Sequence, residues 1–337
     1  MGLSAELLGD DGEVRFGEIG LGRLDDAGIP YRFFERDHIV KPEQIAGFDA
    51  VVPVHEHYTR ALLQESPQLL AVVCFGIGFD HVDVAACTDT DILLCHQRGV
   101  GNNAMAESIV CWMLSLAHRA PEKDQLARHG RWSEAAAYNG FELRDRVVGL
   151  VGLGGIGTRL VEMLQGFRMQ QPIACDPYVD AAHATQCGVR TVPLDELLQT
   201  ADFVCVCCPL NDETRNLIGR TELRMMQPTA CLINTSRGGI VNEDALAEAL
   251  AGHWIAAAAV DVWIDEPPPD DHPYLGLDNI ILAPHCIGWT HELFRDIGHM
   301  AFSKVIELTN GRVPDHVINP EVLERPGFRR KLERFQS

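Results

Sequence analysis

Three ionisable groups stand out because each follows a β-rich run in the second half of the chain. Arg237, in Asn234-Thr-Ser-Arg-Gly238, follows the run ending at Asn234. Asp261 and then Glu266 follow the run that starts near Ala256, and His285, in Pro284-His285, follows the run ending at Ala283. Ligands of an open parallel sheet bind beyond the carboxyl ends of its strands, so a sheet holding these runs side by side gathers the three groups. An Arg, a carboxylate and a His beside a nicotinamide are what a 2-hydroxy acid requires. The guanidinium forks onto the acid's carboxylate and carbonyl oxygen, and the imidazole exchanges the hydroxyl proton. The carboxylate holds the imidazole in one tautomer and favours its protonated form. Taken singly, each residue is ordinary: an Arg after a strand commonly pairs with a surface acid, a His after Pro is commonly structural, and Asp-Glu-Pro is a common turn.

A second group of residues points to the nicotinamide carrier. Gly152-Leu-Gly-Gly-Ile-Gly157 directly follows the run 147–151 and opens a segment with Ile156, Leu160, Met163, Leu164 and Phe167 on one helical face. A dinucleotide site needs Gly152 for the tight turn, Gly154 so that backbone N–H groups reach the pyrophosphate, and Gly157 for close helix packing. The glycine pattern alone is weak, and a turn without a ligand is the plainer alternative. Here the flanking strand and helix are right, and Asp176 ends the next run at the roughly 20-residue spacing expected of a ribose-binding acid. Asp176 accepts both ribose hydroxyls and repels a 2′-phosphate, so NAD is expected rather than NADP.

The elements that must position these groups follow from periodicity. Residues 50–78 read as one βαβ unit, and a long helical pattern opens near Asn103 with Met105, Ile109, Met113 and Leu116 on one face, ending before Pro121. Six β-rich runs (147–151, 172–175, 203–208, 230–234, 256–262 and 279–283) alternate with helical segments, which implies a parallel, doubly wound sheet. The tail from about His291 is helical again, and no first strand is assigned in the opening 30 residues. A chain of 337 residues, 46% hydrophobic and 23% charged, has the composition of a globular protein of about two domains. The formal net charge of −20 excludes nucleic acid and anionic membrane surfaces as ready partners, and it makes an anionic substrate depend on a local donor such as Arg237. The eleven cysteines are scattered through apolar runs and read as reduced thiols of a cytoplasmic protein. The start of the chain carries no secretion or lipid signal, and the longest apolar stretch, 109–117, is far short of the roughly 20 residues of a membrane span. No metal is expected: His55 and His57 flank Glu56, but no Cys or His cluster completes a tetrahedral set.

Together the motifs resemble the D-isomer-specific 2-hydroxyacid dehydrogenase family, which includes glyoxylate and hydroxypyruvate reductases, D-lactate dehydrogenases and phosphoglycerate dehydrogenase. The resemblance covers about residues 72–320. It rests on Gly76-Ile-Gly-Phe-Asp-His-Val-Asp83, Asn102-Asn-Ala-Met-Ala-Glu107, the Gly152–Gly157 turn, Cys208-Pro209-Leu210 with Glu213-Thr214, Asn234-Thr-Ser-Arg-Gly-Gly239, Val260-Asp-Val-Trp-Ile-Asp-Glu-Pro267 and Pro284-His285. It implies that Arg237, Glu266 and His285 are catalytic, that Asp261 contacts the nicotinamide amide, and that Cys208 and Pro209 border the adenosine. It places Asn102, Gly155, Ile156, Thr214, Thr235, Ser236 and Gly288 with the other turn glycines near the cofactor. The backbone N–H groups of Ile77 and Gly78, with Arg237 and His285, are implied to hold the substrate.

The fold implied is α/β, two doubly wound parallel-sheet domains, Rossmann-like and flavodoxin-like, with an interdomain cleft. Residues 1–102 plus 293–337 would form the substrate-binding domain and 103–292 the NAD-binding domain, with homodimers pairing through the latter and its long helix. The activity implied is a cytoplasmic, NAD-dependent interconversion of a small 2-oxo acid and its D-2-hydroxy acid. A rival reading keeps the fold as an NAD(H)-sensing binding protein of the corepressor type, and a third uses phosphite as reductant. Three features are compared with the family pattern, the first bearing on loop contacts and the other two on the substrate, against formate and against phosphoglycerate. His96-Gln-Arg-Gly99 replaces a common Asn-Thr-Pro-Gly, Glu266 stands where formate dehydrogenases have Gln, and Val52-Pro-Val-His-Glu-His57 lacks the basic residues a phosphorylated substrate needs, although Arg60 is close. His55, His57, Tyr58 and Trp289 are candidates to shape the pocket for the substrate's side chain.

Overall fold

Short apolar runs with no polar alternation, such as Val148-Gly-Leu-Val151 and Phe203-Val-Cys-Val206, are buried along their whole length, which a strand achieves with helices on both faces of its sheet. In the computed structural model, which describes residues 1–35 and 37–336, these runs build two all-parallel sheets. The chain divides into two compact units, Met1–Gly101 with Trp289–Ser337, and Asn102–Gly288.

In the first unit the strands are β1 (Gly2–Ser4), β2 (Arg32–Phe34), β3 (Ala50–Val52), β4 (Ala71–Val73) and β5 (Leu93–Cys95), in the spatial order β2-β1-β3-β4-β5. Strand β1, which has no assignable sequence signal, is interior: Gly2 pairs with Arg32 on one side and Val51 on the other. One sheet face packs Leu3, Val52 and Val73 against Phe302 and Val305 of the helix His291–Thr309. The other packs Val51, Val72 and Leu94 against Ile45, Leu62 and Leu63.

The second unit carries β6 (Val148–Val151), β7 (Ile173–Cys175), β8 (Arg190–Thr191), β9 (Phe203–Val206), β10 (Cys231–Asn234), β11 (Ala257–Val260) and β12 (Ile280–Leu282), in the order β12-β11-β10-β9-β6-β7-β8. The six expected runs are all strands; the seventh, β8, is two exposed residues on the edge and has no apolar signature to read. The order reverses between β6 and β9, and that switch point is where a doubly wound sheet opens a crevice at its carboxyl edge. Gly149, inside β6, is there for packing: a Cβ would lie 2.8 Å from Ala201 and from Leu197 of the covering helix. The helices Asn102–His118 and Gly155–Leu164 lie together on one face, burying Ile109, Met113, Leu160 and Leu164 over Phe203 and Ile233. The long helix stops at His118, and Arg119 turns the chain with φ +53 before a second helix begins with Pro121 in its first turn. Among the described residues no helix is long and apolar enough to cross a membrane, no three His, Cys, Asp or Glu are placed to hold a metal ion, and all eleven cysteines are free thiols.

Candidate active site

Strand β6 ends at Val151 and the chain turns at once. Gly152 has φ +97, and a Cβ on it would stand 2.9 Å from the Cys208 amide nitrogen, so both conformation and space require glycine. Nothing lies within 4 Å of a Cβ built at Gly154, whereas one at Gly157 would reach the Gly152 carbonyl oxygen at 3.0 Å. The second glycine therefore leaves an open approach to the backbone, and the third lets the helix close on the turn. That helix has Gly154 as its N-cap with no side-chain cap, so its first N–H groups and the positive end of its dipole are available to an anion. Asp176, one residue beyond β7, accepts from the Leu153 N–H through Oδ2 at 2.8 Å and from the Tyr178 N–H through Oδ1 at 2.9 Å. Each oxygen keeps a lone pair for a sugar hydroxyl. Open backbone, helix N-terminus and carboxylate together fit a dinucleotide.

The adjacent strands β10, β11 and β12 run in register, with Asn234, Val260 and Leu282 level with one another. Their carboxyl ends deliver the ionisable groups. Asn234 folds the first turn, donating from Nδ2 to the Arg237 carbonyl at 3.1 Å and accepting from the Ser236 N–H at 3.1 Å. Ser236 Oγ ties the turn to the Val206 carbonyl at 2.8 Å, and the Arg237 guanidinium donates to the Ser236 carbonyl at 2.7 Å. Asp261 is 2% exposed. Its carbonyl accepts from the His285 N–H at 2.8 Å, and its Oδ1 accepts from Cys286 and Ile287 at 2.8 and 3.2 Å. Burial pushes the Asp261 carboxyl up, against the pull of those two amides. Held in this way, His285 keeps φ +52, a region that side-chain-bearing residues seldom adopt at a cost of about 1–3 kcal/mol.

Glu266 closes the cluster. Its Oε2 lies 2.8 Å from His285 Nδ1, and its Oε1 accepts from the Trp263 N–H at 3.1 Å. A carboxylate acceptor keeps a proton on Nδ1 and leaves Nε2 as the ring nitrogen able to exchange one with a ligand. Burial alone would raise the Glu266 carboxyl; the hydrogen bond from His285 and its positive field, with the Trp263 amide and Arg237, hold it below the usual carboxylate range.

The remaining expected residues fall into three places. Asn102 opens the long helix and packs on Gly155, where a Cβ would stand 2.3 Å from its Nδ2. Gly288 lies against the same helix, since a Cβ there would meet Met105 Sδ at 2.3 Å. Thr214 Oγ1 donates to the Pro209 carbonyl at 2.7 Å, closing the loop that begins at Cys208, and Thr235 is buried next to Ser236. Ile77 and Gly78 belong to the other unit, in the turn after β4, where the Ile77 carbonyl lies 2.8 Å from His96 Nδ1. There His55 pairs with Glu6 at 2.9 Å and the His57 ring lies 4.5 Å from that of His38. Tyr58 is 1% exposed in the core, while Trp289 is half exposed and packs edge-on against Phe16 and Phe294.

Two groups beside the cluster have no sequence signal. Glu243 reads as an acid in the first turn of a helix and His272 as a lone histidine before Pro273, yet both side chains are turned inward on the loop that carries Glu266. Only the folded contact reveals them.

Residues 110–286 match the family described as D-isomer specific 2-hydroxyacid dehydrogenase, NAD binding domain. The chain is 34% identical over 292 residues to the glyoxylate reductase of Korarchaeum cryptofilum, covering 85% of this chain and 88% of that one. It is 34% identical over 268 residues to glyoxylate/hydroxypyruvate reductase B of Pectobacterium atrosepticum, covering 79% and 83%. Among solved structures it resembles the NAD-dependent formate dehydrogenase of Staphylococcus aureus in complex with NAD, with TM-score 0.80, 27% identity, and coverage of 94% and 98%.

Proposed function

The chain belongs to the D-isomer-specific 2-hydroxyacid dehydrogenase family and is an NAD-dependent oxidoreductase interconverting 2-oxo and 2-hydroxy acids, and we propose that Arg237, Glu266 and His285 are its catalytic set and a small, unphosphorylated acid such as glyoxylate or hydroxypyruvate its substrate. The observation that carries the assignment is the 2.8 Å Glu266–His285 hydrogen bond at the carboxyl edge, between the loops after β11 and β12, next to the β10 turn that presents Arg237. The names of the relatives support the substrate class, and Glu at position 266 argues for a 2-oxo acid over formate.

NAD, when bound, accepts hydride in oxidation and donates it in reduction. His285 Nε2 takes the proton of the substrate hydroxyl in one direction and returns it to the carbonyl oxygen in the other. Glu266 keeps the ring oriented and stabilises its charged form, and the Arg237 guanidinium forks onto the substrate's carboxylate and carbonyl oxygen. We assign the pyrophosphate to the turn Gly152, Gly154, Gly155, Ile156 and Gly157, the adenosine ribose to Asp176, and the rest of the cofactor to Asn102, Cys208, Pro209, Thr214, Thr235, Ser236, Asp261 and Gly288. We also assign the chain to the cytoplasm, where its free thiols stay reduced. A homodimer is the expected assembly, with Trp132, 76% exposed, as the surface it would cover.

The test is loss of NADH absorbance, with NADPH in parallel, over glyoxylate, hydroxypyruvate, pyruvate, phenylpyruvate and a bulkier branched 2-oxo acid. Turnover should favour NADH and the smaller acids. The assignment fails if His285→Ala keeps most of the turnover, or if Arg237→Ala leaves both KM and kcat untouched.

A further inference from the structure

Helix Glu243–Ala251 begins as many helices do, with Asn242 as N-cap accepting from the Ala245 N–H at 2.9 Å and an acid in the first turn. The acid Glu243, however, does not face water: its side chain is 15% exposed. Its Oε1 accepts from the Ile264 N–H at 2.8 Å, and its Oε2 lies 3.1 Å from His272 Nε2. His272, 8% exposed, accepts the Tyr274 N–H on Nδ1 at 3.3 Å. An acceptor at Nδ1 places a proton on Nε2, where it is donated to Glu243, so both ring nitrogens and both carboxylate oxygens are engaged.

The loop held by this pair is the one that carries Glu266. Ile264 lies near its start and His272 at its end, so a single carboxylate clips both. The peptide unit joining Trp263 to Ile264 also sits against the Arg237 turn: a Cβ on Gly238 would be 2.0 Å from the Trp263 carbonyl oxygen and 2.5 Å from the Ile264 nitrogen. The N–H on the near side of Trp263 is the one that orients Glu266 Oε1. The Trp263 indole then donates to the Ala283 carbonyl at 3.1 Å, two residues before His285, while its ring packs edge-on against His272 at 5.1 Å. Glu243 and His272 thus grip a segment that touches all three turns.

We infer that Glu243 and His272 are positioning residues for the reaction, a buried pair that sets the Glu266 carboxylate in register with Arg237 and His285. For stability alone, apolar side chains of the same volume serve as well as a buried polar pair. What the carboxylate adds is direction, the role outer hydrogen-bond partners play around a catalytic group. The inference rests on Glu266 acting in catalysis.

The experiment is a double-mutant cycle of Glu243→Ala with Glu266→Gln, reading kcat, KM for the 2-oxo acid and NADH dissociation constant by fluorescence titration. Misplacing a catalytic group by about 1 Å costs up to about 100-fold, so Glu243→Ala should lower kcat by roughly 10- to 100-fold with NADH affinity unchanged. Glu243→Gln keeps an oxygen for Ile264 but turns an amide N–H₂ toward the His272 proton, and its loss should be smaller. On the Glu266→Gln background, Glu243→Ala should lower kcat by less than about threefold, because the charge it positions is already gone. Full kcat in folded Glu243→Ala, equal proportional losses on both backgrounds, or a loss of NADH affinity in step with kcat would each overturn the inference. An unimpaired Glu266→Gln enzyme refutes the catalytic role of Glu266 and this inference together, whereas an impaired Glu266→Gln beside an unimpaired Glu243→Ala refutes the inference alone. Should Glu243→Ala fail to fold by circular dichroism, Glu243→Gln and His272→Phe, which keeps the ring packing on Trp263, carry the same comparison.

Discussion

Glu266→Gln isolates one electrostatic contribution, because glutamine keeps the shape of the side chain and an oxygen for the Nδ1–H of His285 but removes the charge. The two side chains are 37% and 40% exposed, so the pair sits between bulk water and a protein interior. At a charge separation of about 4 Å the interaction is about 4 kcal/mol at an effective dielectric of 20 and about 1 kcal/mol in water. Discounted for that exposure, about 2 kcal/mol of stabilisation of the charged imidazole remains, which corresponds to roughly 30-fold in rate. The assay is steady-state reduction of the best 2-oxo acid, with kcat and both KM values followed across pH. The loss should appear in kcat and in kcat/KM for the acid, with KM for NADH unchanged. Because His285 and its neighbours hold the Glu266 carboxyl below the usual carboxylate range, the native enzyme should retain this advantage down through mildly acid pH and lose it only when Glu266 protonates. A variant with native kcat at every pH, or one whose whole defect lies in KM for NADH, would falsify the role given to Glu266.

Three further perturbations test the scaffold. Gly152→Ala forces a Cβ to within 2.9 Å of the Cys208 nitrogen at φ +97, a strain of about 1–2 kcal/mol; NADH titration should show affinity weakened about tenfold or more, and an unchanged dissociation constant would rule the turn out as the cofactor's cradle. Glu56 is 1% exposed, takes hydrogen bonds from the Ser4 hydroxyl and the Val54 N–H, and burial raises its carboxyl. The folded state therefore holds a proton that the unfolded chain releases, so stability falls as pH rises from the unfolded carboxylate value through the folded one; Glu56→Gln should gain thermal stability relative to the native chain over that interval, and parallel Tm–pH curves would count against it. Lys331 Nζ donates to the Leu69, Thr90 and Asp91 carbonyls at 2.9, 3.0 and 3.0 Å, docking the helix Pro326–Glu333 on the rest of the first unit. Lys331→Met leaves those carbonyls unpaired at about 1 kcal/mol each, and calorimetry should register a Tm lowered by several degrees; an unaltered Tm would mean that water replaces the ammonium without loss.

What could be read from the chain divides by the kind of constraint on each residue. Gly152 and Gly157 are legible because a side chain there would crowd the turn, Gly154 because it completes the spacing, and β6, β9 and most of β10 because a strand buried on both faces is mostly apolar. Strands β1 and β8 are not, because three residues reading Gly-Leu-Ser and two exposed residues carry no pattern; neighbours in the sheet decide them. Asp261 shows the limit within the site. A buried acid after a strand reads the same whether it meets a ligand or its own chain, and the contacts of Oδ1 with the amides of Cys286 and Ile287, which help to build the His285 turn, come into view only in the folded chain. Glu243 and His272 lie further still from legibility, since each matters through a contact that exists only after folding. Strands and loops therefore answer to different tests. The register of β10, β11 and β12 sets the level at which Arg237, Glu266 and His285 emerge, and substitutions there should be felt first as lost stability. The loop contacts at Glu243, Trp263 and His272 set the direction in which those groups point, and substitutions there should be felt first as lost rate.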